Sequence, residues 1–174
     1  MKPEKAGDEL RIRISQLSNG LHEYHLKGNT AEIGLDPNFA REVDVDATLD
    51  KTPRQLYVRA DVRTSGMFQC DRCLEEFNQP LSSSYNMFYV FDEVDGTRFP
   101  ADEVQMIGVD TPSIDLAEDV RQVVVLSVPL KLLCREDCKG ICPRCGANRN
   151  EEPCDCREMT DSSQWRGLEG LLNH

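Results

Sequence analysis

Residues 56–73 read Leu-Tyr-Val-Arg-Ala-Asp-Val-Arg-Thr-Ser-Gly-Met-Phe-Gln-Cys-Asp-Arg-Cys, and this stretch decides the fold. Leu56, Val58, Ala60 and Val62 alternate with Tyr57, Arg59, Asp61 and Arg63, the period of two that a strand with one buried face requires. The strand runs on through Gly66 into Cys70-Asp-Arg-Cys73. Residues 81–90 have the texture of a returning strand, so the Cys-x-x-Cys knuckle is expected at the tip of a hairpin.

Upstream, Val43, Val45, Ala47 and Leu49 alternate with Asp44, Asp46, Thr48 and Asp50, a second one-sided antiparallel strand. Set beside the first, its acidic outer face meets Arg59 and Arg63, giving cross-strand charge pairs worth a few tenths of a kcal/mol each. Asn19-Gly20 marks a turn into a strand over residues 21–26, and Leu10, Ile12 and Ile14 alternate with Arg11, Arg13 and Ser15. His22 and His25 fall on opposite sides of that strand and read as surface residues rather than a ligand pair.

Downstream, residues 91–111 are acidic and irregular, with Asp95-Gly96 as a turn signal. The acids lack the ligand order of an EF-hand, so this is a solvated loop. Asp115-Leu-Ala-Glu118 has the form of a capping box and predicts the start of a helix. Leu116, Val120, Val123, Val124 and Ser127 give it an apolar side for core packing, and Pro129 stops it. The expected fold class is α+β: mainly antiparallel β sheet or open barrel, one or two helices, and a cysteine-rich, zinc-binding C-terminal segment. The expected division is a core domain over residues 1–133 with a helix near 115–127, a zinc segment over 134–160 packed on the core, and a short terminal helix over 161–174 carrying Trp165, Leu168, Leu171 and Leu172.

Eight cysteines form four close pairs: Cys70/Cys73, Cys134/Cys138, Cys142/Cys145 and Cys154/Cys156. Tetrahedral zinc takes four soft donors, and a Cys-x-x-Cys turn presents two thiolates to one ion. From Cys134 onward apolar residues are too few to offset chain entropy, so that segment orders itself around metal. The favoured pairing joins Cys70, Cys73, Cys134 and Cys138 as a first site and Cys142, Cys145, Cys154 and Cys156 as a second, which forms locally across a short loop. A ribbon-like pairing joins Cys70/Cys73 to Cys142/Cys145 instead, and spacing alone does not exclude it. One or two zinc ions are expected.

A catalytic zinc keeps an open coordination position, and four thiolates close each site. No Ser/His/Asp set, glycine-rich phosphate loop or paired-carboxylate site stands out, so the chain reads as a non-enzyme without a small-molecule substrate. The enzymatic alternative is a thiol redox protein using Cys70/Cys73, with Arg72 lowering a thiol pKa. Against it, redox motifs open a helix in a βαβ unit, whereas this one follows a long antiparallel strand.

Lys and Arg total 20 against 31 Asp and Glu, a formal net charge of −11 that metal sites filled by four thiolates make more negative. Such a molecule repels a phosphate backbone at long range, so nucleic-acid contact requires a local basic patch or a partner protein. Arg72, Arg135, Lys139, Arg144, Arg149 and Arg157 interleave with the cysteines and are the candidate contact residues. Met1-Lys2-Pro3-Glu4-Lys5 lacks the apolar run of an export signal, and no stretch approaches the roughly 18 apolar residues of a membrane span. A cytoplasmic chain with no membrane partner is expected, and in a reducing compartment close thiols are metal ligands rather than disulfides.

Cys70-x-Arg72-Cys73-Leu74-Glu75, Ile114-Asp115-Leu116, Pro129-Leu130, the run Cys134-x-x-Asp137-Cys138-Lys139-Gly140-Ile141-Cys142-Pro143-x-Cys145-Gly146, and the late Cys154-x-Cys156 together resemble the YceD family. These are bacterial and plastid proteins associated with accumulation of large-subunit (23S) ribosomal RNA. The resemblance covers most of the chain and implies a cytoplasmic role in synthesis, processing or stability of that RNA, hence in ribosome assembly. Two accounts of that role follow. In one, an acidic zinc-stabilised adaptor docks on a ribosomal or RNA-processing protein, with residues 91–103 as a candidate surface. In the other, the basic residues around the knuckles contact RNA directly.

Overall fold

The computed structural model describes residues 10–92 and 96–156. Five strands form one open sheet in the order β2 (Gly20–Asn29), β3 (Glu42–Lys51), β4 (Gln55–Gln69), β5 (Glu76–Val90) and β6 (Val104–Met106). The first three pairings are antiparallel and the last is parallel. β1 (Arg11–Arg13) and β7 (Ser113–Asp115) make a separate antiparallel pair, and α1 (Ala117–Leu126) follows it. The described residues are thus mostly antiparallel sheet with one helix, the expected α+β class.

The core is where the alternation puts it. Val43, Val45, Ala47 and Leu49 of β3 and Leu56, Val58, Ala60 and Val62 of β4 are buried on one face, with Met87 and Tyr89 of β5. Leu10, Ile12, Ile14 and Ile114 from the small strand pair, and Leu116, Val120 and Val124 at and within α1, close over that face. The Leu10 side chain fills the place a Cβ would take at Gly28, within 2.7 Å, so β1 seats directly on β2.

β4 and β5 pair without a bulge from Gln55 opposite Val90 to Gln69 opposite Glu76. The hairpin is longer than the core beneath it, and its outer part carries the first knuckle. Residues 38–41 brace that arm: Ala40 N–H donates to Ser65 O (2.7 Å), Met67 N–H donates to Asn38 O (2.7 Å), and Phe39 meets Phe68 edge-on.

Three local expectations are corrected. The capping box forms only in its Asp115 half, and Leu116 rather than Asp115 is the helix N-cap, without a side-chain cap bond of its own. Asp115 sits opposite Arg11 and its Oδ2 accepts from that guanidinium at 2.9 Å, while Oδ1 takes Ala117 N–H. Glu118 turns instead to Arg121 and Gln122 one turn on, because charge-assisted bonds to nearby donors outcompete a reach back to one amide. Of the cross-strand charge pairs, Arg63 makes its ion pair diagonally with Asp46, while Arg59 lies opposite Thr48. The loop after β5 contains β6, where Phe88 N–H donates to Glu103 O and Ile107 N–H to Val90 O, and Phe99 stacks on Phe88 with ring centroids 3.9 Å apart. A three-residue strand is too short to show periodicity of its own. The terminal helix expected over 161–174 lies outside the described residues, as does Arg157.

Candidate metal centres

Even-numbered residues of β4 face inward, and Cys70 continues that alternation, so its thiol is fully buried. Cys70 N–H donates to Glu75 O and Leu74 N–H donates back to Cys70 O, both at 2.9 Å, closing the hairpin tip with Leu74 at φ 63°. The segment after α1 is stitched to this tip reciprocally: Asp71 N–H donates to Leu132 O (2.8 Å), and Leu132 N–H donates to Asp71 Oδ2 (2.7 Å). This brings Cys134 Sγ to 3.6 Å from Cys73 Sγ and Cys138 Sγ to 3.8 Å from Cys70 Sγ, with Phe77 and Leu133 packed alongside.

Cys142–Gly146 repeats the knuckle. Cys142 N–H donates to Ala147 O (2.8 Å), Gly146 N–H donates to Cys142 O (2.9 Å), and Gly146 has φ 74°. Cys154 and Cys156 complete the second cluster, which is more open: Cys142 is buried but Cys145 is exposed. Within each set of four the sulfurs all lie within 4.8 Å of one another. The structure therefore assembles the local pairing of the cysteines rather than the ribbon-like one.

All eight cysteines are free, and sulfurs 3.6 to 3.8 Å apart are well beyond the ~2.05 Å of a disulfide. A tetrahedral ion with metal–sulfur bonds of ~2.3 Å requires sulfur–sulfur edges of about 3.8 Å. Both clusters can hold a metal ion in this way.

The two centres share a support. Gly140 has φ 70°, and a Cβ there would stand 2.8 Å from Arg72 O, so only glycine lets the chain cross the first knuckle. Ile141 N–H donates to Arg72 O (3.0 Å), while Arg72 Nη1 donates to Cys138 O (2.8 Å) and Glu136 O (3.5 Å). From the loop between Cys145 and Cys154, Asn150 Nδ2 donates to Cys138 Sγ (3.4 Å), and its Oδ1 accepts Lys139 N–H (2.8 Å). Sequence reading missed Asn150. Its only signal is the Asn148-Arg-Asn150 turn composition, which does not say where the amide points.

Thiol ionisation is divided within each cage. Burial pushes Cys70 up, but the N–H groups of Cys134, Cys73 and Arg72 together bring it down to about 6. The N–H groups of Cys145 and Arg144 bring Cys142 down to about 6 against its burial. Burial, then the neighbouring thiols, push Cys134 up to about 12. Cys145 first and then burial push Cys156 up to about 11. Four thiolates cannot crowd together without a counter-charge, and a divalent cation at the centre would reverse this division by favouring the ionised form of all four.

The candidate contact residues are engaged to different degrees, and Lys139 and Arg149 line one cavity with Glu151 and Glu152. Arg72 is spent on backbone carbonyls, and Arg135 pairs with Asp137 at 3.5 Å. Lys139, Arg144 and Arg149 are exposed among Glu136, Asp137, Glu151 and Glu152. His22 accompanies the half-buried side of β2, while His25 lies outside and binds Asp46 at 2.6 Å, so neither approaches a ligand role. Among the described residues no helix is long and apolar enough to cross a membrane.

The profile of the family described as large ribosomal RNA subunit accumulation protein YceD matches residues 58–172. An uncharacterized protein of Mycobacterium tuberculosis is 27% identical over 165 residues, covering 92% of this chain and 78% of its own length. A protein of Arabidopsis thaliana named large ribosomal RNA subunit accumulation protein YCED homolog 1, chloroplastic, is 26% identical over 201 residues, covering 94% of this chain and 63% of its own. The maize protein of the same name is 28% identical over 160 residues, covering 76% of this chain and 54% of its own. The chain thus spans less than two thirds of either plant relative. No solved structure matches it.

Proposed function

We propose, because this chain belongs to the YceD family of large ribosomal RNA subunit accumulation proteins, that it supports accumulation of that RNA as a non-enzymatic zinc protein, an acidic adaptor for a basic ribosomal or RNA-processing protein. Zinc is the ion because four thiolates at tetrahedral spacing are its usual structural donor set. Closed cages leave no coordination position for a substrate, so the ions serve shape.

One observation favours an adaptor over an RNA binder: Arg72 is bonded to backbone carbonyls, Arg135 to Asp137, and Lys139 and Arg149 share their cavity with Glu151 and Glu152. With a net charge of −11, made more negative by filled sites, the electrostatic attraction suits a basic protein surface. The thiol redox reading is less well supported, since Cys70 and Cys73 are buried beside Cys134 and Cys138 and not presented for attack on a disulfide.

The test is capture from lysate of a cell that makes the protein, with and without nuclease, followed by reconstitution from purified components. A basic ribosomal or processing protein that stays bound after nuclease and rebinds when pure supports the adaptor. Purified ribosomal RNA bound with a steep salt dependence, and released by charge reversal of Arg144 and Arg149, would replace it with direct RNA contact.

A further inference from the structure

We infer that Asn150 is a positioning residue that couples the two metal centres, so that closing the Cys142/Cys145/Cys154/Cys156 site raises the affinity of the Cys70/Cys73/Cys134/Cys138 site. This rests on the reading of both clusters as zinc sites.

Asn150 belongs by sequence to one centre and by contact to the other. It lies in the loop between Cys145 and Cys154, whose ends carry all four sulfurs of the second cluster. That loop is tied to the segment between Cys138 and Cys142 by Arg149 N–H to Gly140 O (2.9 Å) and turned by Glu151 and Glu152 N–H to Asn148 O (3.0 Å each). The Asn150 side chain leaves it and reaches Cys138 Sγ, a sulfur of the first cluster.

The amide has no freedom to turn away. Its Oδ1 faces Lys139 N–H, which is only a donor, so the carbonyl must point there and the NH2 must point to sulfur. Of the two Nδ2 hydrogens, one goes to Cys138 Sγ and the other to Asn148 Oδ1 at 2.9 Å. Asn148 Oδ1 also accepts Asn150 N–H at 3.1 Å, which fixes the backbone beneath the amide.

An N–H aimed at a ligating sulfur favours the thiolate, which is the form that holds the ion, and orients it. Outer contacts of this kind typically change metal affinity by about 10- to 100-fold. Ordering the loop that supplies the donor costs chain entropy, and an ion held by Cys142, Cys145, Cys154 and Cys156 removes that cost in advance. By linkage the effect is mutual: filling the first cage strengthens the second by the same factor.

The experiment uses the full chain. Metal content is counted first. Zinc affinity is then measured by chelator competition while the amide resonances of Asp71 and Leu132, which bond across the first cage, report its filling. The variants are Asn150→Ala, Asn150→Asp and the pair Cys154→Ser/Cys156→Ser. Expected are two zincs per wild-type chain and a loss of about tenfold in first-cage affinity both in Asn150→Ala and in the serine pair. Combining those changes should give no further loss, since both break one linkage. Asn150→Asp keeps the acceptor for Lys139 but removes the donor, so it loses at least as much as alanine; a merely space-filling side chain would tolerate it. With Co(II) in place of zinc, the first-cage visible band should shift in Asn150→Ala while keeping tetrahedral intensity. Two zincs with first-cage affinity unchanged in the serine pair, or losses that add, overturn the coupling alone. A wild-type chain that binds no zinc overturns the metal reading and the coupling with it.

Discussion

Leu74 and Gly146 hold the same station in two copies of one knuckle, four residues past its first cysteine, each donating its N–H to that cysteine's carbonyl at 2.9 Å, with φ of 63° and 74°. Gly146 accepts this backbone without strain, whereas Leu74 is the non-glycine residue that adopts it among those described. Leu74→Gly should leave stability within about 1 kcal/mol, because relief of the left-handed cost of ~1–2 kcal/mol is offset by glycine's entropy and lost side-chain contact. Leu74→Val should cost about 1 kcal/mol or more, since a β-branched side chain fits that region poorly. Denaturant unfolding of metal-loaded protein checks the order, and a valine variant as stable as wild type contradicts it.

At Gly140 both conformation and space exclude a side chain. Gly140→Ala places a Cβ 2.8 Å from Arg72 O on a backbone with φ 70°. The expected cost is at least about 2 kcal/mol, seen as weaker zinc retention by the first cage with β3–β4 pairing unchanged in hydrogen exchange.

Arg72 spans the first cage by donating to Cys138 O and Glu136 O. Arg72→Lys keeps the charge but loses the planar fork. First-cage zinc affinity should fall by roughly threefold to tenfold, in line with other outer-contact losses. A variant with unaltered zinc affinity but weakened RNA binding would return Arg72 to the role of a phosphate contact.

Burial first, and then Glu118, hold the Asp119 carboxyl above its ordinary value. A folded-state value above the unfolded one means that the native state binds this proton more tightly. The associated stability is therefore full below the unfolded value of 3.8 and is lost as pH rises through the folded one. Asp119→Asn should stabilise the protein at about pH 7 by ~1 kcal/mol or less, the residue being only partly buried, and bring no gain near pH 3. Comparing variant and wild type at both pH values by chemical denaturation tests the sign.

Withdrawal of metal should act unevenly. The sheet core of Val43, Val58, Leu116 and Val124 forms one cluster, and Cys70, Cys73 and Cys138 form another with Phe77 and Leu133 against them. A strong chelator should abolish amide protection over residues 134–156 and at the β4–β5 tip while β3 stays protected. Loss of protection throughout would mean that the core depends on the ions.

The legibility of these features follows from the range of the physics involved. The alternation in β3 and β4 is local and one-sided, so Val43 to Leu49 and Leu56 to Val62 appear inside as their spacing demands. Cys70 could be placed at a hairpin tip for the same reason. Spacing favours the local pairing of the cysteines but does not exclude the ribbon-like one, because Asp71 and Leu132 decide it through a contact between segments sixty-one residues apart. The capping box is only half made: Asp115 Oδ1 takes the Ala117 N–H while Oδ2 holds Arg11, more than a hundred residues upstream, but Glu118 turns to Arg121 and Gln122 rather than back. Asn150 was invisible because an asparagine in a turn usually caps its own backbone, and nothing in Asn-Arg-Asn points toward a distant sulfur.

Because Cys70 inherits its orientation from Leu56, Val58, Ala60 and Val62, the length of the arm between core and first cage is set in parity as well as in distance. A single-residue insertion in β4 would rotate the thiol to solvent and shear every rung of its ladder with β5. The arm can lengthen or shorten only in matched steps of two residues on both strands, each moving the cage by about 7 Å. The reach of this protein is thereby quantised by the pleat of its sheet.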